Sequence, residues 1–257
     1  VKAFVNDTRH LLLRHLRTTL RLPIWIAVTL IQPVIWLTIY GQLFRRVVEI
    51  PGFGAGSYIQ FLTPGVVIMT ALFGSAWSGM GIIEDLTDGV MDRMLATPVN
   101  RAALISARVL HAALTVAVQS VIILAFGMAL GARVAGGVPG FLVILLLGSL
   151  LGAGMSALSN GLALVTRREE TLIAVINFFG LPLTFLSTAF MASDLMPGWI
   201  RALSRANPVN WAVIASRDAM LGQAWGGVAK AALMLAGFVL VSVWISTQAF
   251  RAYRTAT

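Results

Sequence analysis

Six apolar stretches dominate the chain: 22–44, 58–83, 103–130, 139–165, 167–191 and 228–250. Each runs past the roughly 20 residues that an α-helix needs to cross about 30 Å of hydrocarbon. A bilayer core offers no partner to backbone polar groups, so a spanning segment must satisfy its own, as a helix or a closed barrel. Spanning strands are shorter and alternate polar with apolar residues, and these runs do neither. The expected fold is therefore an all-α integral membrane protein with six transmembrane helices. Composition agrees: 11% of residues are charged and 58% hydrophobic, against about 25% charged in a soluble domain. With no cysteine in the chain, a disulfide framework, a thiol nucleophile and a thiolate metal site are excluded. The net charge of +9 comes from cations scattered between apolar runs. They form no continuous basic face for nucleic acid, and they suit anionic lipid headgroups.

The first stretch reads as a retained span. Its apolar region exceeds that of a cleaved signal, and Gln42-Leu43-Phe44-Arg45 is not a small-residue cleavage site. Six spans place both termini on one side. The segments on that side carry eleven cations: Lys2, Arg9, Arg14, Arg17, Arg21, Arg93, Arg101, Arg167, Arg168, Arg251 and Arg254. The opposite segments, 45–57, 131–138 and 192–227, carry six: Arg45, Arg46, Arg133, Arg201, Arg205 and Arg217. The positive-inside rule then puts both termini in the cytoplasm. Thr166-Arg167-Arg168-Glu169 reads as a capping box opening the fifth span. Asn100 can cap the third span after Thr97-Pro98, and Asn207-Pro208 can open a short helix that Gly222 closes. No internal repeat is visible, so a two-fold pathway would need a second chain.

Three segments are not simple spans. In 1–21, Val5, Leu12, Leu16 and Leu20 share one helical face, with His10, Arg14, Arg17 and Arg21 on another. This is an amphipathic helix lying in the interface, or else a solvated basic leader. In the loop 84–99, Asp85, Asp88 and Asp92 would align on one helical face beside Glu84, while Val90, Met91, Met94 and Leu95 form an apolar face. Such a helix either docks on another protein or rests on headgroups. In 192–227, the run 209–215 is too short to span and too apolar for a free loop. It reads as a re-entrant helix or as an extracellular cap, with Trp199, Trp211 and Trp225 at the interface.

Several kinds of chemistry are missing. Lys2 and Lys230 are the only lysines and neither follows a glycine, so no phosphate-binding Gly-Lys-Ser/Thr loop exists. No Asp or Glu lies near the middle of a span, where an ion or proton would need one. Arg108 can reach the interface along its aliphatic stem, and His111 reads as a helix-packing hydrogen-bond donor rather than a proton carrier. His10 and His15 have the wrong spacing for a helical zinc site. The remaining polar residues in the spans, among them Gln32, Gln60, Gln119, Asn160 and Asn177, either bond helix to helix or line a pathway. As pathway candidates Gln32, Asn160, Asn177, Phe178, Phe179 and Phe185 suit a large amphipathic substrate.

Four stretches resemble the ABC type-2 membrane permeases, in particular the daunorubicin-resistance branch of drug and lipid exporters. They are Ile31-Gln32-Pro33 with Tyr40-Gly41-Gln42-Leu43-Phe44; Glu84-Asp85-Leu86 continuing through Gly89, Met91, Asp92, Arg93, Leu95, Thr97, Pro98, Val99 and Arg101; Pro182 to Phe190 with Leu195, Pro197 and Trp199; and Asn207-Pro208-Val209. The likeness covers essentially the whole chain.

The resemblance implies a single transmembrane domain over 1–257 and several roles. Segment 1–21 would be a connecting helix. Residues 86–97 would form the coupling helix, seated on a P-loop ATPase subunit through Glu84, Asp85, Asp88, Met91, Asp92, Arg93, Met94, Leu95 and Pro98. The outer helices from Leu195 to Gly222 would close the exit. ATP and Mg would sit on the partner subunit, with no cofactor, metal or catalytic residue on this chain. A second permease chain, identical or paralogous, would complete a unit in a bacterial inner membrane. It would export a drug, antibiotic or envelope lipid. The alternatives are a secondary transporter or channel working without ATP, and a lipid-modifying membrane protein.

Overall fold

A computed structural model describes residues 2–21, 23–50, 56–90 and 101–255. Among these the regular structure is entirely helical. Helix α1 (Lys2–Arg21) precedes α2 (Pro23–Ile35), which continues through a π-helical segment, Trp36–Tyr40, into a last turn, α3 (Gly41–Leu43). Next come α4 (Tyr58–Ala76) and α5 (Met80–Thr87), joined by one 3₁₀ turn, Trp77–Gly79. The long helices α6 (Arg101–Ala129) and α7 (Gly137–Thr166) follow, then the shorter α8 (Glu169–Phe185). Two short helices, α9 (Gly198–Ser204) and α10 (Pro208–Leu221), lead to α11 (Trp225–Thr255).

Four helical segments are long and apolar enough to cross a membrane: 58–87, 102–129, 137–166 and 225–251. These match the expected second, third, fourth and sixth spans to within a few residues. The fifth expected span, 167–191, needs correction. Its helix is the 17 residues of α8, about 26 Å long at the α-helical rise. Beyond Phe185 the chain turns and packs against α10 instead of continuing. The expected capping box is also absent. Thr166 is the last residue of α7, Arg167 ends that helix in the left-handed region (φ 52°), and Arg168 occupies the N-cap with no side-chain bond.

The core is built on α7, which packs against α4, α6, α10 and α11. Hydropathy alone made it look like any other span, but its small residues mark it. Gly140, Gly148, Gly152, Gly154, Ser156, Ser159 and Gly161 are all buried. A Cβ at Gly152 would lie 2.7 Å from Ser75 Oγ on α4 and 2.9 Å from Val116 on α6. Without a hydrophobic driving force in lipid, close backbone approach at small residues is what holds helices together. Ser78 Oγ on the 3₁₀ turn adds polar contacts to α7, at 2.7 Å from Ser156 Oγ and 3.3 Å from Asn160 Oδ1.

The bundle has two chemically distinct ends. One gathers α1, α5, the start of α6, the end of α7 and Phe250 near the end of α11, around buried Ile82, Ile105, Leu164 and Leu172. The other gathers Tyr58, α10 and the turn after α8. The N-terminal helix and the end of α11 therefore share an end, as an even number of crossings requires.

Candidate functional site

The end that carries the N-terminal helix holds a polar cluster between α1, α5 and α6. Helix α1 lies on α6 with Phe4, Thr8, Leu11, His15 and Thr19 as its inner stripe, while Val5 and Leu20 are exposed. Of the apolar face read from sequence, Val5 and Leu20 are thus exposed while Leu12 and Leu16 are half-buried. Thr19 Oγ1 lies 2.8 Å from His111 Nε2, and the His15 and His111 rings are 5.7 Å apart. Burial, with Arg108, His111 and Arg14 nearby, pushes the His15 imidazole down to about 3, so it is neutral at physiological pH.

Arg108 reaches the end of α5. It turns inward, pairs with Asp85 and donates from Nη2 to the Gly81 carbonyl at 3.0 Å. Asp85 is consequently mostly covered, while Glu84 and Asp88 stay exposed. Helix α5 ends at Thr87, Asp88 is its C-cap, and Gly89 takes φ 65°. Glycine adopts this left-handed conformation without penalty, so Gly89 suits the end of the helix. Asp88 is therefore the last of the three aspartates on α5, and the expected alignment with Asp92 lies outside the described residues. Met91, Asp92, Arg93, Met94, Leu95 and Pro98, with the expected cap at Asn100, lie outside the described residues.

The opposite end is tied by side chains from α10. Asn207 Oδ1 accepts from the Val209 backbone at 2.9 Å, with Pro208 at the first helical position, so the expected N-cap is present. Its Nδ2 also donates to the Leu183 and Leu186 carbonyls at 2.6 and 3.1 Å, closing the end of α8. One asparagine thus satisfies orphan groups at two helix ends. Gly222 ends α10 with φ 73°, as expected. Asn210 Oδ1 receives Thr188 N and Oγ1 at 2.9 and 2.8 Å. Arg217 donates to the carbonyls of Phe61, Thr188 and Ala189 at 3.0, 2.6 and 2.9 Å and lies over the Phe61 ring, 3.5 Å from its centroid. In the sequence Arg217 was merely one of the outer cations, and no local signal distinguished it.

The pathway candidates separate. Gln32 lies on a cleft of about 120 Å³ between α2, α4 and α6, lined also by Trp36, Phe73 and Trp77. Asn160 does not reach it: the side chain is fully buried, its Oδ1 accepting from Ser78 and its Nδ2 donating to Ser156. Asn177, Phe178, Phe179 and Phe185 lie on the open face of α8. Asn177 Nδ2 bonds to its own helix at Ile173 O, 3.0 Å away. The Phe178 and Phe179 rings meet edge to face at 5.1 Å. Among the described residues no group of acids and histidines could hold a metal ion.

A helical bundle with four segments long and apolar enough to cross a membrane, a polar cluster at one end and a bonded cap at the other is the architecture of a membrane protein. The family model described as ABC-2 type transporter matches residues 6–221. The chain is 32% identical over 197 residues to ycf38 of Cyanophora paradoxa, a transport permease by name, covering 75% of this chain and 67% of that one. It is 28% identical over 233 residues to the daunorubicin resistance ABC transporter permease protein DrrB1 of Streptomyces coeruleorubidus, covering 89% and 80%. It is 23% identical over 193 residues to the doxorubicin resistance ABC transporter permease protein DrrC of Mycobacterium tuberculosis, covering 75% and 69%. The chain belongs to the ABC-2 type transporter family, and its relatives are transport permeases.

Proposed function

We propose that this protein is the permease subunit of an ATP-driven exporter, moving a hydrophobic or amphipathic substrate out of the cytoplasm or the inner leaflet. Membership of the ABC-2 family over residues 6–221 carries the reading. ATP and Mg bind a separate P-loop ATPase. Segment 84–99 is the coupling helix loop that docks on it, through exposed Glu84 and Asp88 together with Met91, Asp92, Arg93, Met94, Leu95 and Pro98. Asp85 plays a different part: paired with Arg108, it transmits movement of this loop to α6. Helix α1 lies in the cytoplasmic interface as a connecting helix, and both termini are cytoplasmic in a bacterial inner membrane.

On this reading the chain crosses the membrane six times, two of the crossings being short. The first runs through α2, the π segment and α3; the fifth is α8, completed on the outer side by the turn that Asn207 and Asn210 hold. Helices α9 and α10 re-enter the outer leaflet and close the exit. A second permease chain completes the pathway. The absence of mid-span carboxylates weighs against coupling to an ion gradient.

Inside-out vesicles carrying the chain with its ATPase test the reading, with daunorubicin as the transported probe, since DrrB1 is named for resistance to it. Accumulation should require ATP and persist when the proton gradient is collapsed. Accumulation that follows the gradient and ignores ATP would instead mark a secondary transporter.

A further inference from the structure

On the reading that α1 lies in the cytoplasmic interface, we propose that its outward basic face binds an anionic phospholipid, whose phosphodiester is held by Arg17 and Arg21.

Helix α1 presents three stripes in succession around its axis. The first, Phe4, Thr8, Leu11, His15 and Thr19, faces α6, and the contact between Thr19 Oγ1 and His111 Nε2 at 2.8 Å fixes the rotation of the helix. The second is apolar: Val5, Leu12, Leu16 and Leu20, with Leu13 on its far edge and Arg9 interrupting it. Val5, Leu13 and Leu20 are exposed, so the bundle covers this stripe only in part. The third is basic: His10, Arg14, Arg17 and Arg21, all exposed. Docking of the first stripe holds the other two in place. With the apolar stripe against acyl chains, the basic stripe stands beside it at the level of the headgroups.

The basic stripe is a groove rather than a row of isolated charges. His10, Leu13, Arg14, Arg17, Thr18 and Arg21 line an open space of about 360 Å³. Among the described residues this lining holds no carboxylate, and Asp7, the only acid in α1, lies outside it. Arg17 and Arg21 are four residues apart on one face, about 6 Å along the axis, so both can reach one phosphate. Their like charges disfavour the helix at that spacing until an anion joins them.

The surroundings select the anion. Guanidinium forks match the oxygens of a phosphodiester. A zwitterionic headgroup carries its own ammonium, which offsets the arginines. A soluble anion could neutralise them but has no use for the exposed Leu13 and Leu20 alongside. A phosphate joined to acyl chains uses both stripes at once.

The chain has no cysteine, so a fluorophore on Leu20→Cys reports on α1 alone. The labelled whole chain would be placed in phosphatidylcholine nanodiscs, and quenching measured with lipids carrying a doxyl group on the acyl chain. Doxyl-phosphatidylcholine should quench the label; no quenching by either lipid would overturn the interfacial placement of α1 and the site with it. Doxyl-phosphatidylglycerol should associate about fivefold more strongly, the attraction of one arginine near an anionic surface. Arg17→Gln with Arg21→Gln should remove this preference and leave quenching by doxyl-phosphatidylcholine unchanged, which shows that the helix stays in place. Arg9→Gln should leave the preference standing. An equal loss with Arg9→Gln would mean diffuse surface charge and overturn the site. So would equal association of the two lipids, or a preference that survives the double variant, with α1 still in the interface. Loss of the preference on adding inorganic phosphate or soluble polyglutamate would assign the face to a free anion or an acidic protein and overturn the lipid as its occupant.

Discussion

Helices α7 and α8 are neighbours in sequence and similar in hydropathy, yet the fold uses them in opposite ways. Helix α7 is buried on several sides, with glycine and serine facing α4, α6, α10 and α11. Helix α8 buries one stripe, Leu172, Ile176, Gly180 and Thr184, and leaves Phe178, Phe179, Leu181 and Phe185 open. A lipid-facing surface and a helix-facing surface can be equally apolar, so hydropathy cannot tell them apart. What separates them is side-chain size: small residues where backbones approach, large ones where lipid or another chain is met.

The difference can be broken most directly on α7. Gly152→Leu would drive atoms into Ser75 and Val116 and should cost about 3 kcal/mol, read as a fall in thermal unfolding temperature in detergent. An unshifted midpoint would mean that α7 is not the centre of the bundle. Arg217→Met comes next. It strips the donor from three carbonyls that fix the turn after α8, and should cost about 2 kcal/mol. Hydrogen exchange should quicken at 186–190 while α7 stays protected; uniform exchange would show that the cap and the core are one unit.

Acidification probes the other end. His15 is neutral when α1 is docked, with its pKa lowered to about 3, whereas a free histidine titrates near 6.5. Because the released helix binds the proton more readily, docking is fully favourable above about 6.5 and weakens as pH falls towards 3. Exchange of α1 amides should therefore rise on acidification through that window, and His15→Gln should flatten the response. The smallest effect belongs to α8. Phe178→Ala with Phe179→Ala should change the stability of the isolated chain by about 0.5 kcal/mol or less, read as an unshifted unfolding temperature. If the chain alone loses stability, the open face of α8 is buried in a way this fold does not contain.

Most of the fold was legible in the sequence, because each long span must satisfy its own backbone and so announces itself as an apolar run. The stretches 58–83, 103–130, 139–165 and 228–250 correspond to helices within those bounds or a few residues beyond. The Asn207-Pro208 start and the Gly222 stop were also readable, being local chemistry. The early end of α8 was not, because its cause is distant: Asn207 and Asn210 hold the Leu183–Thr188 turn from 20 or so residues away. Likewise nothing near Asp85 revealed Arg108 as its partner.

The most direct test is to purify the chain from its native membranes in mild detergent and identify its companions by mass spectrometry, alongside a variant carrying Asp88→Lys and Leu95→Asp. A P-loop ATPase should accompany the wild type and be absent from the variant. An ATPase retained by the variant would place the docking surface elsewhere. No ATPase in either sample, with transport by the chain alone in liposomes, would contradict the permease reading itself.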